Sequence, residues 1–238
     1  MKQISLNTFM HNWLSRIVMV ALLALTIASC SSDDGDVSPV EVAYVSLYQA
    51  SPNAPGLDIR VSNRQINYYP FEYTDHTGYL RFYPGSRDLS FSPVNADNIV
   101  ADTSLVFEPN RAYSVFVVDN YDNLQMLKLE DNAAAPEAGK AMVRFVNLSP
   151  DAPALDLMSE TANDPWFEDQ AFIETSEFME VNANNYSLMV RSAEDESINL
   201  NLPNVELQNG WYYTIIVRGY NTPPSGNNNV LSAEVLVN

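Results

Sequence analysis

Two kinds of hydrophobic pattern divide this chain of 238 residues. The first is one unbroken apolar run, Ile17 to Ile27 (IVMVALLALTI), set after Lys2 and Arg16 in a stretch without Asp or Glu. A permanent span takes about 20 apolar residues, so this run is too short for one and has the layout of the h-region of a secretory signal. The second pattern fills the rest of the chain with short segments. Leu57, Ile59 and Val61 alternate with Asp58, Arg60 and Ser62, the period of two of a half-buried strand. Val115 to Val118 and Ile215 to Val217 are short continuous apolar runs rich in β-branched residues, the pattern of central strands covered on both faces. Turn residues separate the segments: Pro84-Gly85, with Asn184-Asn185 where the second half of the chain has its counterpart of Gly85-Ser86, and Asn209-Gly210. No long amphipathic helix stands out after the signal.

The segments repeat. AYVSLYQASPNAPGLDI from Ala43 matches AMVRFVNLSPDAPALDL from Ala141, YLRFYPGSRDLSF from Tyr79 matches FMEVNANNYSLMV from Phe178, and LVFEPNRAYSVFVV from Leu105 matches VELQNGWYYTIIVR from Val205. A module of about 95 residues occurring twice, with about seven short strands each, has the size and rhythm of an immunoglobulin-like sandwich. The expected fold is therefore all-β: two tandem immunoglobulin-like (prealbumin-like) antiparallel β-sandwich domains after a signal peptide and a flexible tether. The expected boundaries are a signal over 1–29, a lipidated cysteine and acidic tether over 30–40, repeat 1 over 41–131, a linker over 132–139 with Pro136 blocking a helix, and repeat 2 over 140–238.

Cys30 is the only cysteine, so no disulfide forms within one chain, and an exported protein of this kind rests on its core and hydrogen bonds. Ile27-Ala28-Ser29-Cys30 resembles the bacterial lipobox, which implies lipidation of Cys30 and a membrane as the first partner. The Ser31-Ser32-Asp33-Asp34-Gly35-Asp36 that follows has tether composition. It also resembles the surface-export signal of Bacteroidetes lipoproteins. The expected location is the outer membrane, lipid-anchored, at the cell surface or alternatively facing the periplasm. Removal of the signal takes away Lys2 and Arg16 and no acid, leaving ten basic and 30 acidic residues, a net charge of −20. Scattered Lys and Arg in such an acidic chain exclude nucleic acid as a partner.

Each copy opens on a stiff signature. Ser51-Pro52-Asn53-Ala54-Pro55 and Ser149-Pro150-Asp151-Ala152-Pro153 carry two prolines that restrict the loop, with an Asn or Asp between them suited to an Asx turn. Asp58 and Asp156 follow early in the next strand, placed to accept backbone N–H groups of the loop or, alternatively, to serve a ligand or metal. The signature and the strand and turn pattern after it resemble the bacterial domain-of-unknown-function 4397 family. That resemblance implies a β-sandwich, and it carries over no catalytic residues.

Little points to chemistry. His76 is the one histidine after the signal, and Ser-His-Asp, Cys-His, H-E-x-x-H and cysteine-zinc patterns each lack a member. There is no phosphate-binding glycine motif, so nucleotides have no support, and no cofactor or metal site is expected. Asp119 and Asp122 with their asparagines miss the pattern of a known calcium loop. The binding candidates are aromatic: Tyr68, Tyr69 and Tyr73 in the YYPFEY segment, with Trp166 in the comparable region of the second copy. Core or edge packing is the plainer role for these segments, and Phe71 and Phe172 align as core positions. The expected function is a non-catalytic, surface-displayed module that binds a glycan or protein. One alternative is a pilin-like structural subunit that donates Val230 to Val237, a segment whose counterpart in the first copy is Leu124 to Glu130. The other, a glycan-acting enzyme using a carboxylate pair, stands behind it.

Overall fold

A computed structural model describes residues 40–195 and 197–238, so the signal over 1–29, Cys30 and nearly all of the tether lie outside the described residues. Residues 41–238 form one compact unit. No helix among the described residues is long and apolar enough to cross a membrane.

The unit holds two β-sandwiches of the same plan. The first is built from β1 (Ala43–Gln49), β2 (Leu57–Val61), β3 (Arg64–Gln65), β4 (Leu80–Phe82), β5 (Gly85–Pro93), β6 (Ala101–Phe107), β7 (Ala112–Val118) and β8 (Gln125–Glu130). One sheet has the order β4-β1-β7-β8 and the other β3-β2-β5-β6. The second comprises β9 (Lys140–Asn147), β10 (Leu155–Ser159), β11 (Phe167–Gln170), β12 (Met179–Asn182), β13 (Asn184–Ser192), β14 (Asn199–Leu207), β15 (Tyr212–Arg218) and β16 (Ser232–Val237). Its sheets are β12-β9-β15-β16 and β11-β10-β13-β14. Pairing is antiparallel except for β1 with β7 and β9 with β15, which run parallel. A strand and its parallel neighbour end on the same side, so the loops that leave β1 and β7 lie next to each other.

Turn chemistry follows the sequence in most places. Gly85 has a φ of +94° at the corner between β4 and β5. Asn184, its aligned partner, opens β13 without a left-handed conformation. Asn110 and Gly210 both adopt positive φ in the turns that lead into β7 and β15.

Each sandwich closes on its own core. Val45, Leu47, Ile59, Phe91, Phe107 and Val115 meet in the first, and Val143, Phe145, Leu157, Val190, Ile215 and Val217 in the second. The intervening residues of the central strands face the other way. There a third cluster joins the sandwiches: Tyr48, Ala50, Phe116, Val118 and Leu129 from one meet Val146, Leu148, Ile216 and Leu236 from the other. The continuous apolar runs of β7 and β15 are explained by this, because their strands are buried on both faces.

Two ion-pair groups flank the apolar contact. Arg144 donates to the Asp131 carboxylate, to Thr214 Oγ1 at 2.9 Å and to the Glu130 carbonyl at 2.9 Å, with the Phe178 ring 4.6 Å from its guanidinium. Asp131 also accepts from Tyr79 Oη at 2.7 Å and Ser114 Oγ at 2.9 Å. Burial lowers the pKa of Arg144 from its ordinary value, and Asp131 opposes that shift. In the other group Arg218 lies 3.0 Å from Glu234 Oε2, which accepts from Tyr48 Oη at 2.6 Å. The residues between the sandwiches are fastened too. Asn132 Oδ1 accepts from the Ala112 N–H at 2.6 Å, and the Glu137 N–H donates to Glu180 Oε1 at 2.9 Å. The Gly139 N–H donates to Asn209 Oδ1 at 2.6 Å.

Phe116→Ala empties the middle of the joining cluster and touches neither internal core. It is expected to cost about 3–5 kcal/mol, the usual loss for a buried phenylalanine. Calorimetry should show one transition shifted as a whole; two separated transitions would mean that the sandwiches unfold independently. Burial and the Glu234 carboxylate hold the Tyr48 hydroxyl well above the usual tyrosine range. Its proton is thus held more tightly in the folded state, a contribution that is complete below about pH 10 and lost as pH rises beyond it. Tyr48→Phe is expected to flatten the alkaline fall in melting temperature.

Candidate functional site

Tyr68 and Tyr69 are the outstanding exposed aromatic residues. They are 91% and 75% exposed, and their rings meet edge to face with centroids 5.0 Å apart. They sit in the segment between β3 and β4, and the reason this segment holds still is Asn67. Its Oδ1 accepts from the Ile59 N–H at 2.7 Å, while its Nδ2 donates to the carbonyls of Leu57 at 2.9 Å and Tyr69 at 2.8 Å. One amide side chain thus bonds to the main chain of β2 as a neighbouring strand would. Gln65 Nε2 adds bonds to the Asn67 carbonyl and to Asp58 Oδ1. Pro70 completes the support by lying close against Gly56, just after the signature loop, where an added Cβ would come within 2.8 Å of the proline Cβ. A rigid loop carrying two solvent-facing rings is a small stacking platform.

The other aromatic candidates are elsewhere. Tyr73 is half-buried beside the second sandwich, its hydroxyl accepting from Arg218 at 3.3 Å and its ring 5.3 Å from that guanidinium. Burial raises its pKa above the ordinary value. It supports the contact between the sandwiches and does not join Tyr68 and Tyr69. Trp166 is half-buried against the second core and edge to face with Tyr186 at 5.0 Å. The two rings line an open recess of about 300 Å³.

Hydrogen bonding also corrects the alignment of these segments. The Ile66 and Trp166 N–H groups bond to the equivalent carbonyls of Ile59 and Leu157, so Trp166 corresponds to Ile66 and not to the tyrosine pair. Thr74 and Ile173, both left-handed, donate to the carbonyls of Gln49 and Asn147, which makes Tyr73 the counterpart of Phe172. Phe71 is a core residue as expected, stacked on Phe91 with centroids 6.4 Å apart. Phe172 is not its partner and packs against the joining cluster instead. At the place of Asn67 the second copy has Phe167, which enters the core, so strand β11 replaces the side-chain bridge.

The signature residues are drawn into the frame. Ser51 and Ser149 are buried, with N–H groups donating to Gln49 Oε1 and Asn147 Oδ1. Pro52 uses its carbonyl to accept from Asn227 at 2.9 Å and Asn229 at 2.6 Å, residues of the other sandwich. Pro150, like Pro52, stands directly before the residue that bonds across to the next loop, and the Pro153 carbonyl accepts from Asn147 Nδ2. Pro55 leads into Gly56. The residues between the prolines do not make local Asx turns to their own loop. Asn53 Oδ1 accepts from the Tyr121 N–H at 2.7 Å, and Asp151 accepts from the Asn221 and Thr222 N–H groups at 2.7 and 2.8 Å. The parallel pairing of β1 with β7, and of β9 with β15, brings those loops together. Asp58 and Asp156 likewise turn away from the signature. Residues on either side of each enter the core, so the carboxylates face outward. Asp156 accepts from the Asp169 N–H at 3.0 Å and lies 3.5 Å from Arg191.

The remaining polar candidates are occupied. Asp119 accepts from Asn120, Asn123 and Gln125 side-chain amides and from the Asn120 N–H, a shell of donors that a cation would have to displace. His76 Nε2 is 3.0 Å from Ser46 Oγ, while the neighbouring Asp75 carboxylate accepts from the Glu72 N–H. Among the described residues no three His, Cys, Asp or Glu side chains gather as a metal site would require. The features that sequence reading missed are Asn67 and Gly56, and the proximity of Tyr186 to Trp166. A lone Asn before an aromatic pair was the available signal for the first.

Asn67→Ala removes three hydrogen bonds at once and is expected to cost about 1–3 kcal/mol. Gly56→Ala, which crowds Pro70, should cost a comparable amount by overpacking. Both should lower the melting temperature, and both should alter near-ultraviolet circular dichroism from the tyrosine pair. Unchanged spectra would show that the loop is held by something else.

No curated protein matches the chain. Among solved structures, it is similar to CBMbc (family CBM26) from Eubacterium rectale Amy13K, crystallised in complex with maltoheptaose, at 10% identity over 78% of this chain and 100% of that one. The TM-score is 0.26. A family model matches from the start of β1, through the first sandwich and the linker, to Met158 in β10. Residues 43–158 of this chain therefore carry a domain of the family described as domain of unknown function (DUF4397).

Proposed function

We propose that the protein is a non-catalytic, lipid-anchored module of the outer membrane, displayed at the cell surface, that binds a glycan. The observation that carries this reading is the Tyr68–Tyr69 pair, solvent-facing and locked by Asn67 and Pro70. Two rings on a stiff loop match the apolar face of one or two sugar units, and they lose little freedom on binding. A protein partner of ordinary affinity covers roughly 800 Å² per side, and between β3 and β4 only Ile66 and Tyr79, each little more than one-third exposed, add to the large exposed apolar side chains. The anchor rests on the lipobox resemblance at Cys30, and surface display on the Ser31 to Asp36 run. A strand-donating subunit has no comparable support, because β16 pairs with β15 along six residues and supplies Leu236 and Glu234 to the joining contact.

The whole mature chain with Cys30→Ser, probed on a glycan array, should bind one class of glycan. Tyr68→Ala with Tyr69→Ala should abolish the signal at unchanged melting temperature, since both rings are outside every core. Equal binding by the double variant, or an array without signal, would reject the reading.

A further inference from the structure

We propose that the second sandwich holds a separate site for one neutral pyranose residue, in the recess beside Trp166 and Tyr186. The inference rests on the glycan-binding reading above and adds a contact on the other sandwich with different chemistry.

The recess of about 300 Å³ lies along β12, the outer strand of its sheet, and is open to solvent. Its apolar part is the edge-to-face pair of Trp166 and Tyr186, backed by Met179. The Tyr186 ring is held in place by its hydroxyl, which donates to the Asn182 carbonyl at 2.9 Å. Its polar lining includes Lys140, Glu180 and Asn182. Lys140 and Asn182 are directly paired across β9 and β12, and Glu180 is two residues along the same strand. Among the described residues neither the Lys140 ammonium nor the Asn182 side-chain amide has a hydrogen-bond or ion-pair partner.

This lining selects among ligand classes. It offers a cationic donor, an anionic acceptor and an amide that is both. A hydroxyl donates and accepts, so neighbouring hydroxyls of a sugar can use all three. A phosphate or carboxylate would meet Glu180, and an amine would meet Lys140. The apolar CH face of the ring then lies against the aromatic pair. The first sandwich does not repeat this lining. At the equivalent positions it has Val42, Arg81, Tyr83 and Arg87, with the Arg87 guanidinium 6.0 Å from the Tyr83 ring and bonded to the Tyr83 carbonyl at 2.8 Å.

Trp166 and Trp211 are the tryptophans after the signal, so the whole mature chain with Cys30→Ser and Trp211→Phe leaves one indole to report on the recess. Its emission would be followed during titration with D-glucose, D-galactose, D-mannose and D-xylose, with D-galacturonate as the anionic control. The expected result is a saturable change with at least one neutral sugar. It should persist in Tyr68→Ala with Tyr69→Ala and weaken about ten-fold or more in Lys140→Met and in Asn182→Ala. Melting temperatures of these variants report on folding. No emission change, alongside array binding that depends on Tyr68 and Tyr69, would overturn this site and leave the proposed function standing. A stronger response to galacturonate than to galactose would overturn the neutral assignment. Silence in both assays would remove both proposals together.

Discussion

Tyr48, Phe116 and Ile216 meet where the outward faces of the two central sheets press together, and the rest of the structure depends on that contact. A sandwich of this size normally leaves the outer faces of its sheets to water, with polar residues at alternate positions. Here β1 and β7, and β9 and β15, are apolar on both sides over their last turns of alternation. Burying side chains of this size contributes about 1.5–3 kcal/mol each, so the joining cluster stabilises the pair on the scale of a core layer. With a single cysteine and no disulfide within the chain, such packing is the main resource available.

The contact is not symmetrical, although the two sandwiches are copies. Arg144 in β9 stands where β1 has Ser46, and Arg218 in β15 where β7 has Val118. Each arginine is matched by groups that the copy relation alone would not supply: Asp131 and Tyr79 for one, Glu234, Tyr48 and Tyr73 for the other. A buried guanidinium without its carboxylate would be costly, so these pairs admit one arrangement of the sandwiches and penalise a slipped one. Loops reinforce the same arrangement at the signature end, where Asn227 and Asn229 hold the Pro52 carbonyl and Tyr220 donates to Asn120. The signature is thereby a joint, with its prolines keeping the chain extended while its polar atoms bind neighbouring loops.

Divergence between the copies concentrates where binding is proposed. After β2 the first copy uses Asn67 to bond its own strand, which leaves the next two residues free to face solvent as tyrosines. The second copy continues as β11, turns Phe167 into the core, and places Trp166 beside Tyr186. Strand positions that build the cores stayed alike because volume and alternation constrain them. The edge segment has no such constraint, and there one module has produced two different surfaces.

Much of the architecture was legible along the chain. The period of two at Leu57 to Val61, the repeated S-P-[ND]-A-P motif and the turn residues establish two all-β modules, because strand alternation and turn stereochemistry are local properties. The runs at Val115 and Ile215 even marked the strands covered on both faces. What the chain by itself did not reveal were relations between residues far apart. Parallel pairing of β1 with β7 sends Asn53 and Asp151 to loops about 70 residues away. The joining face separates Tyr73 from Tyr68 and Tyr69, three aromatic residues that look equivalent in a linear reading. Exposure, unlike residue type, is a property of what packs against a side chain. Only the tertiary structure decided which of these rings became structure and which remained free to bind.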